Sequence, residues 1–136
     1  MKWFNWFKRY KDPIVEVERV NPRMYLILRE DLTYKYIQGG HAIAQFALEH
    51  PIEFKEWDNK YLICLSVFNG VTLRDVYKSL CDTDIVDEQR VFVPKYNMSV
   101  FYEPDLESTL PTAIAIFENG EGFVSKEVKF LKLATK

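Results

Sequence analysis

The sequence predicts an α/β fold, and three features predict it. Two apolar runs, Tyr25-Leu26-Ile27-Leu28-Arg29 and residues 61–68, have the length and near-continuous hydrophobicity of strands covered on both faces. Residues 38–50, between them, space their apolar side chains at helical intervals, and strand, helix, strand at this separation is a right-handed crossover between parallel strands. With 136 residues, 48% hydrophobic and 15% aromatic, the chain has enough apolar material for one core. It divides into an N-terminal amphipathic arm, 1–22, and a single domain, 23–136.

A formal net charge of -2 gives no whole-molecule attraction to nucleic acid, so RNA binding would need a local basic patch. Cys64, in an apolar run, and Cys81, near a helix end, read as buried thiols in a reducing compartment rather than as a disulfide or metal pair. No run is long enough for a transmembrane segment and no signal peptide is visible, which together place the chain in a cytoplasm.

In order along the chain, the arm carries Trp3, Trp6, Phe7 and Tyr10 at helical spacing among Lys2, Lys8, Arg9 and Lys11, and Pro13 ends it. It reads either as a surface for a membrane's anionic headgroups or as an aromatic flap against the domain or a partner chain. Residues 14–20 alternate Val15 and Val17 with Glu16 and Glu18, as a short extended segment would. Residues 24–31 form the first strand. Gln38-Gly39-Gly40-His41-Ala42 then opens a helix apolar over most of its circumference, expected to be buried, with Gln38, His41 and Gln45 in one polar stripe. Pro51 marks its exit. After the second strand, Thr72 and Asp75 suggest a capping box for a helix with an inward stripe of Leu73, Val76, Tyr77 and Leu80. Regularity is lost from 82 to 97, where Asp82, Asp84, Asp87 and Glu88 give an acidic stretch and Val91-Phe92-Val93-Pro94 reads as a short strand or a packed loop. Residues 98–103 and 113–117 read as a third and fourth strand, Glu118-Asn119-Gly120 as a turn, and 125–134 as a last helix with Val124, Val128 and Leu131 on one face.

No phosphate loop, dinucleotide fingerprint, nucleophile elbow or metal spacing is present, so neither cofactor nor metal is expected. What remains is Gln38 and His41 on the helix, with Asp105 and Thr109 on the segment leaving the third strand. In an open sheet flanked by helices these two segments face each other at the strands' carboxyl ends. A histidine, a carboxylate, a hydroxyl and an amide are enough to position a water and to donate to an oxyanion. The bland alternative is a hydrogen-bonded core stripe.

At these residues the sequence resembles the class II peptidyl-tRNA hydrolase family. Leu28-Arg29-Glu30-Asp31-Leu32 is similar to its strand-ending Arg-x-Asp-Leu, Gln38-Gly39-Gly40-His41-Ala42 to its helix motif, and Asp105-Leu106-Glu107-Ser108-Thr109 to its Asp-Ala-Gly-x-Thr loop. The ending Lys129-Phe130-Leu131-Lys132-Leu133 is similar to its last helix, and the resemblance spans about 24–133. It implies a three-layer α/β/α fold around a mixed four-stranded sheet whose last strand is antiparallel. It also implies hydrolysis of the carboxylic ester joining a peptide to tRNA, without a cofactor. By position it makes His41, Asp105, Thr109 and Gln38 the catalytic group, with Lys35 and Gln45 as substrate-binding residues.

The chain departs from that pattern in three places. The family's Gly-Lys-x-Lys turn is shortened to Thr33-Tyr34-Lys35-Tyr36-Ile37, leaving Lys35 as the one candidate for phosphate. Glu107 stands where the family has glycine, and the acidic stretch 82–88 is added. Each lost phosphate contact removes salt-dependent affinity. Two function classes therefore stay open: a hydrolase of peptidyl-tRNA or a related acyl ester, and a non-catalytic relative acting as a binding or protein-interaction module. A homodimer is compatible with either. An acidic rim around the site favours the second, a basic rim the first.

Overall fold

The computed structural model describes residues 21–106 and 109–135. The arm from residue 1 to 20, its extended segment included, and Glu107 lie outside them. Among the described residues eleven elements follow in order: β1 (Arg23–Arg29), α1 (Lys35–Glu49), α2 (Pro51–Trp57), β2 (Tyr61–Val67), α3 (Gly70–Ser79), β3 (Cys81–Val86), β4 (Gln89–Pro94), β5 (Met98–Phe101), β6 (Ala113–Glu118), α4 (Phe123–Val128) and β7 (Lys132–Leu133).

The α/β expectation holds, with a mixed sheet of five strands rather than four, in the order β5-β6-β1-β2-β7. β1 and β2 are parallel, in register from Arg23 opposite Tyr61 to Arg29 opposite Val67, while β6 runs antiparallel between β1 and β5. Alternation along β1 divides the core in two. Met24, Leu26 and Leu28 pack with Ala42 and Phe46 of α1, Trp57 of α2, and Ala113, Ala115 and Phe117 of β6. Tyr25 and Ile27 point the other way, to Leu73 of α3, Val124 and Val128 of α4, and Ile114 and Ile116. Both faces of β1 and β6 are covered, which is why their sequences read as unbroken apolar runs. Each fully buried large side chain here contributes about 1.5–3 kcal/mol of transfer free energy.

Four expectations about local structure need correction. The first concerns α1, which is buried on one side only: Ala42 and Phe46 are inaccessible, but Leu48 is 84% and Ile37 57% exposed, because a single sheet face receives the helix. In α3 the cap lies three residues earlier than the capping-box pattern suggests. Asn69 holds extended backbone and its Oδ1 accepts from both the amide (2.9 Å) and the hydroxyl (3.0 Å) of Thr72.

The acidic stretch is a hairpin, not a loop: β3 and β4 pair from Cys81 opposite Pro94 to Val86 opposite Gln89. Its two-residue turn puts Asp87 at φ 51° and Glu88 at φ 66°, the left-handed backbone such turns need. It lacks the glycine that would announce it, and with both faces in solvent there is no alternation to read.

The tail, finally, stays helical only to Val128. Its next residues are drawn onto the free edge of β2, Leu133 opposite Leu65 and Lys132 opposite Ser66, with the Ala134 amide donating to the Cys64 carbonyl at 2.9 Å. This adds the fifth strand. Both cysteines are free thiols, Cys81 buried and Cys64 half-buried, and burial raises the pKa of each.

Candidate functional site

The polar stripe of α1 runs along β5 and finds its partners there. Gln38 is 8% exposed, and its Nε2 donates to Glu103 Oε2 at 3.2 Å, just beyond the end of β5. One turn on, the exposed His41 ring stacks on Phe101, centroids 4.8 Å apart and planes 13° from parallel. At the helix end, Glu49 accepts from Ser99 Oγ at 2.5 Å, and the His50 ring lies 3.0 Å from the Met98 carbonyl. Gln45 reaches only Glu49, at 3.4 Å. Gln38 and His41 thus join the helix to the strand and its exit, as Glu49 and His50 do at the helix end, while Gln45 bonds within the helix.

A polar cluster closes its N-terminal end. Thr112, fully buried ahead of β6, places its hydroxyl 3.0 Å from Gln38 Oε1 and 3.0 Å from the Phe101 carbonyl, sharing one proton between two acceptors. The Gln38 amide is therefore held at both ends, oxygen to Thr112 and nitrogen to Glu103. Sequence reasoning missed Glu103 and Thr112. Their signal was weak: a carboxylate just after one strand, and a lone hydroxyl between Pro111 and the apolar run of the next.

The cluster borders a cavity of about 320 Å³ lined by Asp31, Leu32, Thr33, Tyr34, Gln38, Glu103, Asp105 and Leu106. It lies at the carboxyl ends of β1 and β5, so the segments after those strands do face one another. Gln38 and Asp105 share it. His41, Thr109, Lys35 and Gln45 do not line it, and no hydrogen bond joins the His41 ring to Asp105. Thr109 is exposed, without a side-chain hydrogen bond among the described residues.

Among the described residues no Lys, Arg or His lines this cavity, whereas three carboxylates do. Asp31 is matched by Arg29, which reaches it through Nε (3.0 Å) and Nη2 (2.9 Å) and donates through Nη1 to the Pro111 carbonyl at 3.2 Å. Glu103 and Asp105 have no ion pair among the described residues. Lys35 is committed elsewhere: its Nζ donates to Glu30 Oε2 at 2.5 Å and to Thr135 Oγ1 at 3.1 Å. A lysine in a helix's first turn opposes the helix dipole, and Glu30 offsets it. That lysine, with two bonds from Thr135, holds the Glu30 carboxyl down at about 2.

Larger hollows lie at Lys95, Glu118 and Glu121 (about 370 Å³) and at Phe68 and Phe130 (about 400 Å³). Among the described residues no group of three metal-ligating side chains could hold an ion, and no helix is long and apolar enough to cross a membrane. No protein-family model matches the chain, and neither does any curated protein.

Proposed function

We propose that this chain is a divergent relative of the class II peptidyl-tRNA hydrolases whose cleft serves as a binding module for a neutral or cationic ligand. The single observation that carries this is the cavity wall: three carboxylates, one of them balanced by Arg29, and no inward-facing cation among the described residues. A phosphate about 5 Å from an unbalanced carboxylate meets roughly 1–3 kcal/mol of repulsion at intermediate to high effective dielectric. Two such groups oppose a polyanion before any contact is made. An ammonium or guanidinium, by contrast, gains the same interaction.

Kinship is supported by three motifs in order and by the frame that carries them. The mixed sheet, with α1 and α2 packed on one face and α3 and α4 on the other, is compatible with the layered arrangement that the resemblance implies, though it has five strands where the resemblance implies four.

A second reading, hydrolysis of an acyl ester, is favoured by the cluster of Gln38, Glu103 and Thr112. An amide fixed at both ends beside a carboxylate can bind a carbonyl and orient a water. The ester's alcohol would then carry little negative charge near the cleft.

Release of a labelled acyl group by the purified protein, offered both as N-acyl-aminoacyl-tRNA and as the same group esterified to an uncharged alcohol, separates the readings. The module predicts no release by the parent protein, together with saturable binding of an N-acetyl-lysine amide that Asp105→Ala weakens. Release that Glu103→Gln or Asp105→Ala abolishes overturns the module and establishes the hydrolase.

A further inference from the structure

The β3–β4 hairpin presents both faces to solvent. Ile85 is 73%, Val86 52%, Val93 45% and Phe92 38% exposed, and among the described residues each strand pairs only with the other. A two-stranded ribbon is marginal in water, and its outer edges are rows of free amides and carbonyls that template another strand. We propose that this hairpin is an interface with a second copy of the chain, joined edge to edge and antiparallel along β4.

Charge selects the edge and the register. Pairing β3 with its own copy about Thr83 sets Asp82 against Asp84 of the second copy, twice over, and like charges directly opposed across strands are destabilising. Pairing β4 with its copy about Val91 opposes no like charges. Val91 meets itself on the two-fold axis, Gln89 meets Val93, and Arg90 lies opposite Phe92, an arrangement suited to a cation over an aromatic ring. The same register carries the turn residue Asp87 toward Lys95 of the second copy. The product is a four-stranded sheet, β3-β4-β4-β3, and an isologous contact closes at two subunits.

Sedimentation equilibrium of the full chain from about 1 to 200 μM tests the proposal. The parent protein is expected to be a dimer at the upper end, Val91→Lys and Val91→Glu each monomeric with a folded circular-dichroism spectrum, and their equimolar mixture dimeric again. Because position 91 faces itself, opposite charges restore what like charges break, which an unfolded variant cannot imitate. A parent that stays monomeric throughout overturns the proposal, as it would if the chain's own arm filled the edge. So do dimers that persist in both single variants, and variants that fail to combine when mixed.

Discussion

The Gln38 amide on α1 and the Thr112 hydroxyl ahead of β6 meet at 3.0 Å across 74 residues of sequence, and that bond decides which way the amide faces. With Oε1 taken by Thr112, Nε2 must turn to Glu103. Thr112→Val keeps the shape and removes the proton, leaving a buried carbonyl oxygen without its donor. The expected cost is about 1–3 kcal/mol, or roughly 3–10 °C in a thermal melt. Thr112→Ser, which keeps the hydroxyl, is expected to lose clearly less. Equal losses in the two variants would show that the methyl group, not the bond, matters.

Two adjacent glycines of α1 make opposite predictions. A Cβ on Gly39 would stand 2.6 Å from Leu26 Cδ2 and 2.8 Å from Leu28 Cδ2, both in the packed core, whereas one on Gly40 meets nothing within 4 Å. Gly39→Ala forces β1 and the helix apart and is expected to destabilise by about 1–3 kcal/mol despite its better helix propensity. Gly40→Ala gains that propensity without a clash, about 0.5–1 kcal/mol of stabilisation. Urea titrations of the two variants check both signs.

The same pair shows what could be read from the sequence and what could not. A helix opening at Gln38-Gly39-Gly40-His41 after an apolar strand was legible, because burial on both faces leaves continuous hydrophobicity and helical spacing behind. The parallel crossover and both later strands of the main sheet followed from the same signal. The hairpin did not, since neither of its faces is buried and its turn uses Asp87 and Glu88 in place of glycine. Nor did β7, whose two residues are strand only because β2 offers them an edge. At the site, Gln38 and Asp105 line one cavity while His41 and Thr109 stay off it, and Glu103 and Thr112 join Gln38 unannounced. One serves through position just past a strand and the other through burial, and neither property has a local sequence pattern.

Glu30 ties the end of the chain to the start of α1. Its carboxylate accepts from Lys35, the Thr135 amide (3.1 Å) and the Thr135 hydroxyl (2.8 Å), and Tyr36 donates to the Thr135 carbonyl at 2.6 Å. Its carboxyl titrates at about 2 against an ordinary 4.5, so the folded state binds the proton less readily than the unfolded one. The stabilisation is complete above the ordinary value and is lost as pH falls toward the folded one. Glu30→Gln is therefore expected to melt below the parent by about 1 kcal/mol at neutral pH. The gap should narrow steadily through the acid range and close near the folded-state value. A gap constant from neutral to acid pH would mean that shape, not charge, holds the tail.

The rim of the Gln38 cavity carries the functional argument, and its charge can be inverted at one position. Asp105 is exposed and without an ion pair among the described residues, so Asp105→Lys changes the local field by two units at little cost to the fold. If an acidic rim is what excludes polyanions, this substitution is expected to raise tRNA retention at low salt and to steepen the dependence of log affinity on log salt by about one further phosphate contact. Binding of an N-acetyl-lysine amide should fall in the same variant. The two effects must move in opposite directions, because a single field acts on ligands of opposite sign. Asp58→Lys, the same inversion on the exposed turn ahead of β2, controls for net charge: if it changes tRNA retention as much as Asp105→Lys does, the cavity has no special role and the rim argument fails.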